Sequence, residues 1–221
     1  MVAEIKSDII YPESDGKRMA ENTQQFEWIV LIKKNLDLMF RDDPNVFVAG
    51  DLLWYPVEGK TNICTAPDAM VVFGRPKGDP MGVRGAKRGS YVQHREDNIP
   101  PQVVFEILSP TNTQPEMDQK LLFYNQYGVE EYYLYNPDRN QLRGWLRNEI
   151  FLQEVEDFSG YVSPRLGIRF DVTASPMELY RPNGEKFLSY DELDQQLQQE
   201  RLRAERLAER LRQLGVDPDQ I

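Results

Sequence analysis

Apolar residues recur at helical spacing near the start of the chain. Asn22 or Thr23 can cap a helix there, and the DDP sequence at 42–44 ends it at about Arg41. The positions predicted to form its apolar face are Phe26, Ile29, Val30, Leu36 and Phe40. Short apolar runs then predict three strands, over residues 46–55, 68–73 and 102–108.

A capping box begins the second predicted helix. Thr113 and Glu116 lie three residues apart, with Pro115 in the first turn, and Gly128 supplies the stop, so the helix is predicted over 114–127. The strands predicted after it cover residues 130–135, 141–147, 150–155, 165–171 and 176–180. This order predicts an α/β (α+β) fold with a β-rich extension after the core.

We predict an irregular arm over 1–21, one folded domain over 22–185 and a C-terminal helix within 186–221. Leucine or alanine recurs at 3-4 spacing over 190–214, except where Glu200 occupies an expected apolar position. Such a repeat predicts a marginal coiled coil of about three heptads. A solvated helix that packs its narrow stripe on its own domain is an equal alternative. We interpret the helix as an oligomerisation element, which implies a homodimer or a higher homo-oligomer.

Composition places the chain among soluble globular proteins, with 221 residues, 40% hydrophobic and 28% charged. A single cysteine, Cys64, excludes an internal disulfide and a thiolate zinc cage, and it fits a reducing cytoplasm. The first thirty residues lack a signal-peptide pattern, and no apolar run approaches the roughly 20 residues of a membrane helix. We therefore expect a cytoplasmic protein that does not associate with membranes.

Charge is distributed unevenly along the chain. The formal net charge of −10 argues against a protein that coats nucleic acid nonspecifically. The Gly-rich segment 75–95 nevertheless contains six basic residues and one acidic residue. We predict that this segment contacts phosphates through Arg75, Lys77, Arg84, Lys87 and Arg88.

The predicted strand VVFEILSP, 103–110, carries a carboxylate, Glu106, in its apolar middle. An ionised carboxylate in a low-dielectric interior must be paired, bound to a metal or protonated. Lys120 falls on the apolar side of the next predicted helix, and it lies at nearly the height of Glu106 if that helix folds back across the sheet. The two side chains are therefore predicted to meet, either as a plain buried ion pair or as part of a site.

Asp68 adds a second carboxylate at the start of the strand APDAMVVF. If this strand neighbours the strand of Glu106, the two acids converge and suit a hard divalent cation such as Mg²⁺ or Mn²⁺. The metal would activate a water, and Lys120 would orient or deprotonate that water or stabilise developing charge. An ordinary turn cap is the alternative role for Asp68.

These residues resemble the PD-(D/E)XK nuclease superfamily. Pro67-Asp68, then Glu106 in E-I-L-S-P, then Lys120 and the GVEEY sequence, resemble more closely the Uma-type restriction endonuclease family over about 22–180. The resemblance implies an αβββαβ core of the restriction-endonuclease type. It also implies a Mg²⁺-dependent phosphodiesterase that acts on nucleic acid, with DNA as the expected substrate and with Asp68 and Glu106 as metal ligands.

The sequence departs from the superfamily pattern at Leu108, where the motif would place its lysine. In the Uma-type branch the lysine lies on the following helix, which matches Lys120. A second departure is Asn136, where the family often has Asp before proline, and we expect it to affect a turn.

Two further acids are weaker candidates for the site. Asp51 interrupts the first predicted strand and would be a third acid near the metal or the partner of a loop arginine. Glu27 lies off the apolar face of the first predicted helix. The rival function is a catalytically inactive binding or assembly module with the same fold, favoured by the acidic net charge and disfavoured by the Asp/Glu/Lys set. Hydrolysis of a small molecule or nucleotide at the same site is a third alternative.

Overall fold

The computed structural model describes residues 9–16, 18–78, 87–215 and 217. By contacts the chain divides into two compact units, Met1–Phe187 and Leu188–Ile221. Its helices and strands are α1 Thr23–Met39, β1 Val46–Ala49, β2 Trp54–Tyr55, β3 Ala69–Phe73, β4 Tyr91–Val92, β5 Val103–Ile107, α2 Gln114–Gln126, β6 Glu131–Asn136, β7 Gln141–Arg147, β8 Leu152–Glu154, β9 Arg169–Asp171, β10 Glu178–Tyr180 and α3 Tyr190–Gln213.

The framework of the first unit is a six-stranded sheet in the order β1-β3-β5-β6-β7-β8. Neighbouring strands are antiparallel except β5 and β6, which run parallel because α2 carries the chain back between them. Along the chain, the elements of this framework follow the order α1, β1, β3, β5, α2, β6. The αβββαβ core and the α+β fold class are therefore confirmed.

The strands bury both faces of the sheet. One face packs on α1 and on the extension after β8, and the other packs on α2. The predicted apolar face of α1 is partly wrong, because Phe26 is exposed while Trp28, Ile29, Ile32 and Leu36 are buried. Apolar residues cover two adjacent sides of this helix, so spacing alone does not decide which side meets the sheet.

The single strand predicted over 46–55 is wrong, because the chain bends at Asp51. This residue has a φ of 48°, a conformation that aspartate tolerates better than most residues, and its amide bonds to the carbonyl of Pro67 at 3.0 Å. β1 stays in the large sheet, whereas β2 pairs in parallel with β4.

The extension after β8 is anchored to the sheet by Glu131 of β6. This buried carboxylate accepts hydrogen bonds from the Tyr133 hydroxyl, the Ser163 hydroxyl and the Arg165 amide. A Cβ at Gly144 of β7 would lie 2.7 Å from Cζ of Phe158, so the extension approaches the strand where a side chain is missing.

The second unit contains α3. A capping box of Ser189 and Glu192 begins this helix, and none of its residues is buried. No helix in the described part of the chain is long and apolar enough to cross a membrane.

Candidate active site

The two predicted carboxylates lie on neighbouring strands. β3 and β5 are antiparallel, with Ala69 opposite Phe105, so Asp68 and Glu106 face each other one position beyond the paired residues. The Ile107 amide donates a hydrogen bond of 2.6 Å to Oδ2 of Asp68. Both acids are buried, and Glu106 is only 3% exposed. The sheet therefore fixes the separation of the two side chains.

Two side chains of α2 contact Glu106 from one face of that helix. Nζ of Lys120 donates to Oε2 of Glu106 at 2.7 Å, and the Tyr124 hydroxyl donates to Oε1. Positions i and i+4 of a helix share a face, which explains why both residues reach the same carboxylate. The Lys120 side chain stays 29% exposed, so it links the buried acids to the surface.

Burial and mutual repulsion shape the charges of this cluster. Burial, and then the charge of Glu106, raise the pKa of Asp68 to about 8. Burial lowers the pKa of Lys120, but the carboxylates of Glu106, Asp68 and Asp51 outweigh it and raise that pKa above its ordinary value. At neutral pH the metal-free cluster therefore holds a protonated Asp68 and a protonated Lys120.

The structure brings Asp51 to this cluster but not Glu27. Burial raises the pKa of Asp51, the charges of Asp15 and Glu106 raise it further, and Lys120 lowers it. Glu27 lies exposed on α1. The backbone places Asp51 here, because its amide binds the carbonyl of Pro67, the residue before Asp68.

Sequence reasoning missed three residues around the acids. Tyr124 follows Lys120 by four positions, a spacing that could have revealed it. Gln25 of α1 donates a hydrogen bond of 2.9 Å to the Ile107 carbonyl, and no sequence signal marks it. Tyr132 of β6 is fully buried and interacts electrostatically with both Glu106 and Asp68, and its hydroxyl has no hydrogen-bond partner among the described residues.

Comparison with known proteins gives the family. The model of the Uma2 family, described as "Putative restriction endonuclease", matches residues 18–175. The chain belongs to the Uma2 family. A comparison with curated protein sequences finds no significant match. Among solved structures, the chain is similar to "a putative nuclease belonging to DUF820" from Anabaena variabilis, with 16% identity, a TM-score of 0.48, and coverage of 65% of this chain and 72% of that one.

The acids of this Uma2 protein fit a hard divalent cation in charge and donor type. Within the described ranges, no group of three or more His, Cys, Asp or Glu side chains is arranged to hold a metal ion. The carboxylates of Asp51, Asp68 and Glu106 nevertheless interact with one another and with the single ammonium of Lys120. Oδ2 of Asp68 accepts the Ile107 amide, and the carboxylates of Asp68 and Glu106 supply the oxygen donors that such a cation prefers.

The basic segment is arranged differently from the prediction of five phosphate contacts. Arg75 and Arg88 bind the buried carboxylate of Glu96, at 2.9 and 2.6 Å, so their charges are used inside the protein. Lys77 is exposed and donates to two carbonyls at the end of α1, and Lys87 is exposed. Arg84 lies outside the described residues. Phosphate contact stays a prediction, and in the described part of the segment it rests on the two lysines.

Proposed function

We propose that this Uma2 protein is a Mg²⁺- or Mn²⁺-dependent endonuclease that hydrolyses phosphodiester bonds of nucleic acid, with DNA as its substrate. The observation that carries the proposal is the buried pair Asp68 and Glu106 on adjacent strands, with the partly exposed Lys120 in contact with Glu106. Such a set of acids and one cation suits phosphoryl chemistry, in which charge must be stabilised on a scissile phosphate.

Asp68 and Glu106 are the residues that would hold the cation, and Asp51 adds negative charge beside them. When bound, the cation supplies an activated water and neutralises charge on the phosphate. Asp68 must lose its proton before it can bind, because its pKa of about 8 keeps it neutral at neutral pH. Metal affinity should therefore increase as the pH rises towards 8.

Lys120 acts in this proposal as a charge-stabilising group and not as the base. Its raised pKa keeps the ammonium protonated at neutral pH. Its side chain is partly exposed, so it can face a phosphate while it remains beside Glu106. The Tyr124 hydroxyl and the ammonium together orient the Glu106 carboxylate, because each binds one of its oxygens.

A cleavage assay tests the proposal. Plasmid DNA, single-stranded DNA and RNA are incubated with Mg²⁺ or Mn²⁺, and the wild type is compared with Asp68→Asn and Glu106→Gln. Both variants should lose cleavage by at least about 100-fold. Glu131→Gln is the matched control, since Glu131 is a buried glutamate of the neighbouring strand that binds the extension. Cleavage by Glu106→Gln at the wild-type rate would refute the assignment.

The basic segment is proposed to hold the phosphate backbone. Replacement of the exposed Lys77 and Lys87 by glutamate should weaken DNA binding and lower its dependence on salt. Titration of a labelled duplex at several salt concentrations measures both quantities. Unchanged affinity and an unchanged salt slope would remove this segment from the interface.

A catalytically inactive binding module is the second candidate. Both oxygens of Glu106 already accept hydrogen bonds, and the chain is acidic, which favours this alternative. Calorimetry with Mg²⁺ and Mn²⁺ separates the two functions. Metal binding that depends on Asp68 and Glu106 supports the nuclease, and its absence supports the module. We also propose that the protein works in the reducing cytoplasm, which the single cysteine supports, and that it is a homo-oligomer, which the exposed leucine repeat of α3 supports.

A further inference from the structure

Charge divides α3 into two halves. Residues 190–200 contain four acidic residues and no basic one, namely Asp191, Glu192, Asp194 and Glu200. Residues 201–213 contain five arginines and two glutamates. The helix is continuous over Tyr190–Gln213 and none of its side chains is buried, so both halves are exposed along its length.

The helix dipole explains only the ends of this pattern. Asp191 and Glu192 lie in the first turn, and Arg210 and Arg212 lie in the last, where each sign of charge is favoured. That effect fades within a turn. Glu200, in the middle of the helix, and the arginines directly after it lie beyond its range. The division of charge therefore needs a second explanation.

An apolar seam follows the same helix. Residues at 3-4 spacing share one side, as in the a and d positions of a heptad, and they are Leu193, Leu197, Ala204, Leu207, Leu211 and Leu214. Four of its five leucines, Leu193, Leu197, Leu207 and Leu214, are about half exposed or more. Glu200 occupies the one remaining position of the seam. A seam of this kind is buried when a second helix lies along it.

We infer that α3 pairs in an antiparallel orientation with α3 of a second copy of this chain, centred near residue 202. Antiparallel pairing lays the acidic half of each helix on the basic half of the other. A parallel pair would place acid on acid and arginine on arginine. The charge pattern therefore selects both the occupant, which is a second copy, and its direction.

One register fits the seam in this orientation. When Leu193 faces Leu211 of the second copy, Leu197 faces Leu207, and every one of these layers is leucine on leucine. Glu200 then faces the small Ala204, with Arg203 of the second copy directly before that alanine and Arg206 two positions after it. A parallel pair would instead bring two Glu200 side chains together in one layer, which is unfavourable.

Disulfide cross-linking of the full-length chain tests the direction. Leu193→Cys and Leu211→Cys are made separately in a Cys64→Ser background and are oxidised alone and as a mixture. Antiparallel pairing predicts a cross-linked dimer from the mixture and little from either variant alone. A strong dimer from Leu193→Cys alone would show parallel pairing and overturn the inference.

Matched leucine variants test the surface by sedimentation or mass photometry. Leu207→Ala removes a seam residue and should weaken self-association at least about tenfold. Leu202→Ala makes the same change at an exposed leucine off the seam and should alter it less than about twofold. Higher salt should weaken association of the wild type, because attraction between opposite charges is screened.

These readouts do not depend on catalysis, so a failed cleavage assay leaves the inference standing. A chain that stays monomeric at all concentrations and at low salt would overturn it. Equal effects of Leu202→Ala and Leu207→Ala would also overturn it, because they would show that the seam is not the contact.

Discussion

Replacement of Asp68 by asparagine should stabilise the metal-free protein while it removes metal binding. The wild-type side chain is buried beside Glu106, and its carboxyl keeps its proton up to a pH of about 8. Asparagine retains an oxygen that can accept the Ile107 amide, and it carries no charge. The variant therefore avoids the cost that the wild type meets when a buried acid must stay protonated near neutral pH.

The size of the gain follows from the pKa of Asp68. In the unfolded chain this carboxyl ionises near 3.8, so between that pH and about 8 the folded protein binds the extra proton and loses stability as the pH rises. At pH 7 the penalty is about 4 kcal/mol, from about three pH units at roughly 1.4 kcal/mol each. The NH₂ group of the new asparagine needs hydrogen-bond acceptors in this buried position, and their lack would reduce the gain in stability by about 1–3 kcal/mol. We expect a net gain of about 1–3 kcal/mol.

Urea denaturation at pH 5 and pH 7.5 in EDTA measures this effect, and addition of Mg²⁺ should then stabilise the wild type alone. The gain of Asp68→Asn should be larger at the higher pH. Asp157→Asn is the control, and it should lower the stability instead of raising it. Hydrogen bonds from Ser159 lower the pKa of the exposed Asp157, so its ionised carboxylate stabilises the folded state. A gain that does not grow between the two pH values would refute the reasoning.

Three other substitutions probe the buried charges and hydroxyls, each by denaturation with circular dichroism. Lys120→Met leaves Glu106 without its cation and should cost about 1–3 kcal/mol, whereas Lys120→Arg should cost less; equal losses would contradict the ion pair. Tyr132→Phe removes a buried hydroxyl that has no hydrogen-bond partner among the described residues, and it should leave stability unchanged or raise it by up to about 1–3 kcal/mol; a clear loss would contradict this picture of the hydroxyl. Glu96→Gln removes the carboxylate that Arg75 and Arg88 share, although Arg75 keeps its ion pair with Asp97, and it should cost about 3–5 kcal/mol; a cost below about 1 kcal/mol would show that the pairs are dispensable.

Local signals in the sequence were enough for the core and for the central contact. The rise per residue of a strand and of a helix places Lys120 beside Glu106. This estimate needs only regular geometry and a helix that folds back across the sheet. The Pro67-Asp68 sequence likewise marks the second acid, because Asp68 directly precedes the strand that pairs with the strand of Glu106. The capping box sets the start of α2, which fixes which of its side chains face the sheet.

Features that depend on distant residues escaped prediction. The bend at Asp51 requires a pairing of β2 with β4, nearly forty residues later, and no local pattern reports such a partner. Arg75 and Arg88 were predicted to contact phosphates because the predicted basic segment covers only 75–95. Glu96, the carboxylate that binds both of them, is the next residue along the chain. The side of α1 that meets the sheet is likewise decided by packing and not by spacing.

The long connection between β3 and β5 leaves the sheet at Phe73 and returns at Val103, whereas Asp68 and Glu106 lie at the other end of the same two strands. β4 lies in this connection and pairs with β2, so it must be kept. Insertions, deletions and charge changes between Phe73 and β4 can accumulate without disturbing the atoms at the site. We expect relatives to differ in this part of the connection while the strand ends stay the same. For engineering, a new recognition segment could be exchanged at this point while the sheet is left intact.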